Sequence, residues 1–243
     1  MNEILSILTS FLNLAFNTLG NKVERNNFAP NYYNMTRIAG HLVFFFLIFS
    51  TLPGQGQTSV KVSYFKKQLL EERALKDADF KTGAQSPIDD TEKADFKRLN
   101  YFKPSTAWVI NARIEKYQTP DTIQMRTTTE RLPLYIVYGK ASFNINGKVH
   151  ELTVFRNVGL MNKPGYENYL FIPFTDETTG NQTYGGGRYI DAYDNGTEIL
   201  TIDFNKAYNP YCVYNKKYSC PIPPSGNHLT IKVNAGEKLF RKK

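Results

Sequence analysis

From about residue 105 onward, apolar and polar positions alternate in short runs rich in Val, Ile, Thr, Tyr and Phe. A two-residue period of this kind predicts β-strands. Strands are expected over 108–116, 122–129, 134–138, 141–145, 149–157, 169–175, 183–190, 198–204 and 228–234. Turn chemistry divides them: Thr119-Pro120-Asp121 presets a bend, and Asn146-Gly147 and Asn195-Gly196 favour two-residue hairpins. Gly139-Lys140 marks a further tight connection or a bulge. No helical period intervenes, so the pairing is expected to be antiparallel. About nine strands exceed what one open sheet usually holds, which predicts a mainly β domain, an antiparallel barrel or sandwich.

Residues 58–104 read as a helix followed by a strap over one end of that domain. Tyr64, Phe65, Leu69, Leu70, Arg73 and Leu75 fall near a helical period, with Glu71, Glu72, Arg73 and Lys76 as the charged face. Ser86-Pro87-Ile88-Asp89-Asp90 breaks the pattern, and Phe96, Leu99, Tyr101 and Phe102 lead apolar side chains toward the β domain, expected over 105–238.

Further upstream, Arg37, the apolar run 42–49 and a small-residue stretch ending in Gly54 and Gly56 have the three parts of a secretory signal over 35–56, with cleavage expected before Gln57. The run is too short to span a hydrocarbon layer of roughly 30 Å, so the mature chain is expected to carry no permanent membrane span. The product would be periplasmic or secreted. Residues 1–34, rich in Asn, read either as an amphipathic stretch or as sequence upstream of a true start at Met35. The second reading is favoured because secretory signals sit at true amino termini.

Composition adjusts this picture little. At 41% hydrophobic and 21% charged, the chain is an ordinary folded one. The formal net charge of +8 comes from scattered basic residues, ending in the tail 239–243, and no nucleic-acid motif accompanies them, so nucleic acid is not an expected partner. Two cysteines, Cys212 and Cys220, are expected to form a disulfide in an exported protein. His228, eight residues beyond Cys220, makes a zinc site or a Cys–His nucleophile the alternatives, but the spacing fits no common finger; no metal and no cofactor are expected. His150 reads as a half-buried strand residue.

Three blocks are richer than packing demands: LFIPFTDETTG at 170–180, TYGGGRYID at 183–191, and DFNKAYNPYC at 203–212 running on to Cys220-Pro221 and Pro223-Pro224. With Asn234-Ala235-Gly236-Glu237-Lys238, their order resembles an uncharacterised bacterial family, number 1684 among the domains of unknown function. The resemblance spans roughly residues 108–238 and departs from the family's pattern at Gly226, where an acidic residue usually precedes Asn227, and at Lys206, where Arg is common. It implies a shared β fold and pocket and supplies no reaction.

The blocks also read physically. Gly185, Gly186 and Gly187 allow positive φ and close approach, exposing N–H groups to an anion, and Arg188 offers a bidentate fork. The structural alternative is a bulge whose Arg188 pairs with Asp191 or Asp203. Asp203 and Asn205 share a strand face, and Tyr208 and Asn209 follow on the departing loop. A ligand pocket lined by Thr183, Tyr184, Gly185, Gly186, Gly187, Arg188, Asp203, Asn205, Tyr208 and Asn209, taking a small polar or anionic ligand, is therefore the leading expectation. The alternatives are a hydrolase with Asp203 as general base and Arg188 at the oxyanion, and a structural envelope protein contacting a partner through aromatic loops.

Overall fold

The computed structural model describes residues 55–240. The upstream stretch 1–34 and the expected signal, save its last two residues, lie outside the described residues, as do the final three residues of the basic tail. Helix α1 (Gln55–Thr82) is followed by a turn-rich strap and by strands β1 (Val109–Lys116), β2 (Thr122–Gln124), β3 (Leu134–Ile145), β4 (Lys148–Asn157), β5 (Tyr169–Asp176), β6 (Arg188–Tyr193), β7 (Ile199–Asp203) and β8 (His228–Leu229). Among the described residues no helix is long and apolar enough to cross a membrane.

The sheet runs β6-β5-β4-β3-β1-β7, with β2 beside β3 and the two-residue β8 parallel to β5; every other pair is antiparallel. It is a nearly closed barrel, which decides between the two expected architectures. Closure has a local cause. Asn195-Gly196, expected to turn a hairpin, instead joins β6 to β7, the two ends of the ladder, and so bends them toward each other. Asn146-Gly147 does turn the β3–β4 hairpin, with both residues at positive φ (52° and 79°).

Two expected strands, 134–138 and 141–145, are one. At Gly139 the ladder shifts register against β4, and a Cβ there would lie 2.3 Å from the Glu115 carbonyl oxygen, so glycine lets the strand continue through a bulge. The expected strand 183–190 begins only at Arg188, because Thr178, Thr183 and Asp176 hold the preceding residues in a bonded loop.

Alternate residues of β1 and β3–β7 fill the barrel: Ala112, Phe143, Leu152, Leu170, Ile172, Ile190, Leu200 and Ile202 are all buried there. The opposite face of β5 is covered too, by Met125, Tyr135, Phe155 and Tyr189 packed around Phe171. A third cluster docks α1, with Phe80 against Ile88, Phe96, Leu99 and Tyr214. The inward stripe of α1 is Leu69, Arg73, Lys76 and Phe80, a four-three-four spacing. Tyr64, Leu70 and Leu75, expected on the apolar stripe, face solvent instead.

Candidate functional site

The strap and the segment after β8 meet in a short antiparallel contact. Phe102 N–H donates to the Gly236 carbonyl at 2.9 Å and Lys238 N–H to the Asn100 carbonyl at 2.8 Å, with Tyr101 opposite Glu237. The inward stripe of α1 lies across this junction and across the single helical turn Phe204–Lys206 that ends β7. Between them lies a cleft of about 110 Å³, lined by Leu69, Glu72, Arg73, Lys76, Tyr101, Asn205, Lys206, Ala207 and Glu237.

Arg73 is the centre of this wall. It is buried on a helix stripe otherwise chosen for packing, which requires that its donors be met. Nη1 donates to the Phe102 carbonyl at 2.9 Å, Nη2 donates to the Asn205 carbonyl at 3.1 Å, and the guanidinium stacks 4.3 Å from the centre of the Tyr101 ring. Nε–H has no partner, nor does the Tyr101 hydroxyl. Burial pushes the Arg73 guanidinium down against the opposing pull of Tyr101 and Glu237, and burial with the nearby Glu237 charge pushes the Tyr101 phenol up, so its proton is retained.

Opposite, Glu237 is 1% exposed and ion-paired, although its Oε1 accepts no hydrogen bond. Oε1 sits 2.8 Å from Lys76 Nζ, and Oε2 accepts from Asn209 N–H at 2.8 Å and from the Tyr214 hydroxyl at 2.7 Å. At the rim Lys206 pairs with Glu72 at 2.8 Å. Asn205 is a structural pin whose backbone faces the cleft. Its amide donates to the Ser105 carbonyl at 2.8 Å and accepts from Ser105 N–H at 2.9 Å. Asp203 caps the turn, its Oδ1 accepting from both Asn205 N–H and Asn205 Nδ2 at 2.9 Å.

The structure thus brings Asn205 to a cleft, with Asp203 and Asn209 one bond behind it and the Tyr208 ring 5.0 Å from Lys76 Nζ. The TYGGGR segment is elsewhere. Arg188 is 1% exposed and pairs with neither Asp191 nor Asp203. It lies 3.4 Å from Asp176 and donates to the carbonyls of Val233 (3.0 Å), Glu237 (3.2 Å) and Ala235. Burial pushes its guanidinium down to about 10, with Asp176 and Glu237 opposing. Asp191 accepts instead from the Tyr169 and Tyr208 hydroxyls, each at 2.8 Å. Arg188 and Asp203 therefore do not share a hollow, which removes the geometry that the Asp203–Arg188 hydrolytic arrangement needs.

The glycine run is not an open anion cradle either. Of the three, only Gly187 has positive φ (85°), and the group approaching it is the Phe174 carbonyl, 2.6 Å from where a Cβ would stand. Thr183 is buried, its hydroxyl 3.0 Å from that of Thr178, while Gly185 and Gly186 are exposed. His228 contacts Thr175 (2.9 Å) and Glu177 (3.3 Å). Cys212 and Cys220 are thiols in contact, with Cys212 N–H 3.1 Å from Cys220 Sγ. Among the described residues no group of three or more His, Cys, Asp or Glu side chains is placed to hold a metal. His150 is buried beside Phe143.

Sequence reasoning missed Arg73, Lys76, Tyr101, Lys206 and Glu237. Arg73 did carry a signal, a cation on the period of buried Leu69 and Phe80; Glu237 carried one as the acidic residue of the Asn-Ala-Gly-Glu-Lys block.

The family described as protein of unknown function (DUF1684) matches residues 94–238, which include the Tyr101, Asn205 and Glu237 walls. Among solved structures, the solution NMR structure of an uncharacterized protein from Haloarcula marismortui is 34% identical, with a TM-score of 0.57, and the match covers 73% of this chain and 96% of that one. A comparison with curated proteins finds no match.

Proposed function

Because this chain belongs to the DUF1684 family, whose function is unknown, we propose its role from the cleft: it is a binding module for a small polar or anionic ligand held between α1 and the Phe204–Lys206 turn. One observation carries this reading. Arg73 Nε–H and the Tyr101 hydroxyl are buried, unpartnered and on the same cleft. A buried polar group without a partner costs about 1–3 kcal/mol, and an acceptor oxygen supplied by a ligand removes that cost at both. The space suits a small carboxylate or an inorganic oxyanion, and Arg73, Lys76 and Lys206 outnumber Glu72 and Glu237 among its charges.

Titration calorimetry of the wild type against acetate, lactate and inorganic phosphate, repeated with Arg73→Gln, tests it. Loss of one charge-assisted hydrogen bond is expected to weaken Kd by about 10- to 100-fold. Absence of saturable binding by all three anions in the wild type overturns the reading.

The signal-like segment at 35–56 supports action outside the cytoplasm. Mass measurement of the mature amino terminus checks this: a chain retaining residues 42–49 would contradict export. A second reading, contact with an envelope partner, is supported by the edge-to-face row Tyr166, Tyr169 and Tyr193, whose outer member is 60% exposed. Cell fractionation of a Tyr166→Ser/Tyr193→Ser variant distinguishes the two, because envelope association unchanged by that variant removes the second reading.

A further inference from the structure

Two sequence blocks that the cleft leaves unexplained meet at one sulfur. Cys212 lies in the single helical turn Tyr211–Val213 and is half-buried, whereas Cys220 is 5% exposed. Cys220 is fixed from behind. Its N–H donates to the Thr128 hydroxyl at 3.1 Å, and Thr128 N–H returns a bond to its carbonyl at 2.9 Å. Its sulfur faces forward and accepts from Cys212 N–H at 3.1 Å. Tyr184, from the glycine-rich block, lies near Cys212, and the two residues after it, Gly185 and Gly186, are exposed and carry no side chain to obstruct an incoming group.

This surrounding is asymmetric. The neighbouring Cys220 thiol, then the Tyr184 and Thr128 hydroxyls, hold the Cys212 pKa below the ordinary thiol range, against the opposing effect of burial. The same sulfur contact, reinforced by burial, pushes Cys220 up. A thiolate attacks in thiol–disulfide exchange and must be reached by its target, so the half-buried Cys212 is the nucleophile and the buried Cys220, in contact behind it, is the resolving group.

We propose that Cys212 and Cys220 form a reversible dithiol–disulfide couple that reduces small-molecule disulfides, with Cys212 attacking and Cys220 resolving. The Cys212 thiolate attacks one sulfur of an external disulfide; the external S–S bond breaks and one thiolate leaves. Cys220 then gives up its proton to solvent, and its sulfur attacks Cys212 Sγ. The bond from Cys212 to the external sulfur breaks, and a second thiolate leaves and takes up a proton. Two protein thiols become one disulfide while one external disulfide becomes two thiols, a two-electron exchange. The proposal is independent of the anion cleft, since neither cysteine lines it.

The test uses the reduced full chain with oxidised glutathione near neutral pH, followed by intact mass and thiol counting. The wild type is expected to end with no free thiol, two hydrogens lighter, having released two equivalents of glutathione. Cys220→Ser should stop at a stable mixed disulfide after one equivalent, and Cys212→Ser should react at least about tenfold more slowly. Tyr184→Phe should retain both steps but need a higher pH for the same rate. A Cys212→Ser variant reacting at the wild-type rate, or a wild type that keeps a glutathione adduct or both thiols, overturns the proposal. Should either serine variant fail to fold, limiting iodoacetamide on the wild type decides: Cys212 should be alkylated at least about tenfold faster than Cys220, and equal labelling refutes the assignment.

Discussion

Arg188 donates to the main-chain carbonyl of Glu237 at 3.2 Å, while the carboxylate of the same Glu237 forms one wall of the cleft beneath α1. The glycine–arginine block therefore acts on the site from behind. It fixes the main chain of residues 233–237 through three carbonyls, and that main chain carries the carboxylate that positions Lys76.

Removing this grip should be severe. Arg188→Met leaves Asp176 buried without its counter-ion and strands three carbonyls, and the loss is expected to be about 3–5 kcal/mol by urea unfolding. A loss below about 1 kcal/mol would show that Arg188 is not structural.

Tyr101→Phe should separate stability from function. Its hydroxyl has no partner, so deleting it should leave the melting temperature unchanged or raise it. Phosphate or carboxylate affinity should fall by about tenfold, corresponding to one lost hydrogen bond. A destabilised variant with intact affinity would contradict both halves.

The three consecutive glycines should differ. Gly187→Ala must hold φ +85° and place its Cβ 2.6 Å from the Phe174 carbonyl oxygen and 2.8 Å from Pro223 Cγ. A loss of about 2 kcal/mol or more is expected. At Gly185 the nearest atom is 3.8 Å away and no positive φ is required, so Gly185→Ala should leave thermal unfolding nearly unchanged. Equal effects at the two positions would refute the account of this loop.

Acid should weaken the β6–β7 junction through Asp194. Burial raises the pKa of this carboxyl, but Lys116 Nζ at 2.8 Å, the Tyr138 hydroxyl and Gly196 N–H outweigh it and hold it below the ordinary carboxylate range. A depressed folded value stabilises above the unfolded pKa of about 3.9 and is lost as pH falls through the folded one. Lys116 is raised by the same contact, so its contribution is present below its ordinary pKa and fades only in strong alkali. Asp194→Asn should thus flatten the acid limb of a stability–pH curve measured by urea unfolding, and an unchanged acid limb would exclude this pair as its source.

The barrel was legible because its signal is local. Alternation in β4, the apolar run of β5 and the Asn146-Gly147 turn each act within a few residues. What escaped depends on distant neighbours. The shift at Gly139 is set by the Glu115 carbonyl, and the loop before Arg188 is held by Asp176 and Thr178 side chains where β-rich composition suggested a strand. The cleft was harder still. Asn205 stood out as a polar residue in an aromatic segment, but Arg73 and Glu237 come together only when α1, the strap and residues 236–238 have all docked. Arg188 looked accessible because an arginine beside glycines resembles an anion fork; the three carbonyls that consume its donors lie about fifty residues further on.

The pairing of residues 100–102 with 236–238 makes the cleft a report on how well the two segments stay zipped. If the proposed anion binds Arg73 and Tyr101, it would be lost whenever that zipper opens, and occupancy and local opening would be thermodynamically linked. Amide exchange at Phe102 and Lys238 should slow in proportion to saturation, giving a readout of binding that requires no knowledge of what the natural occupant is.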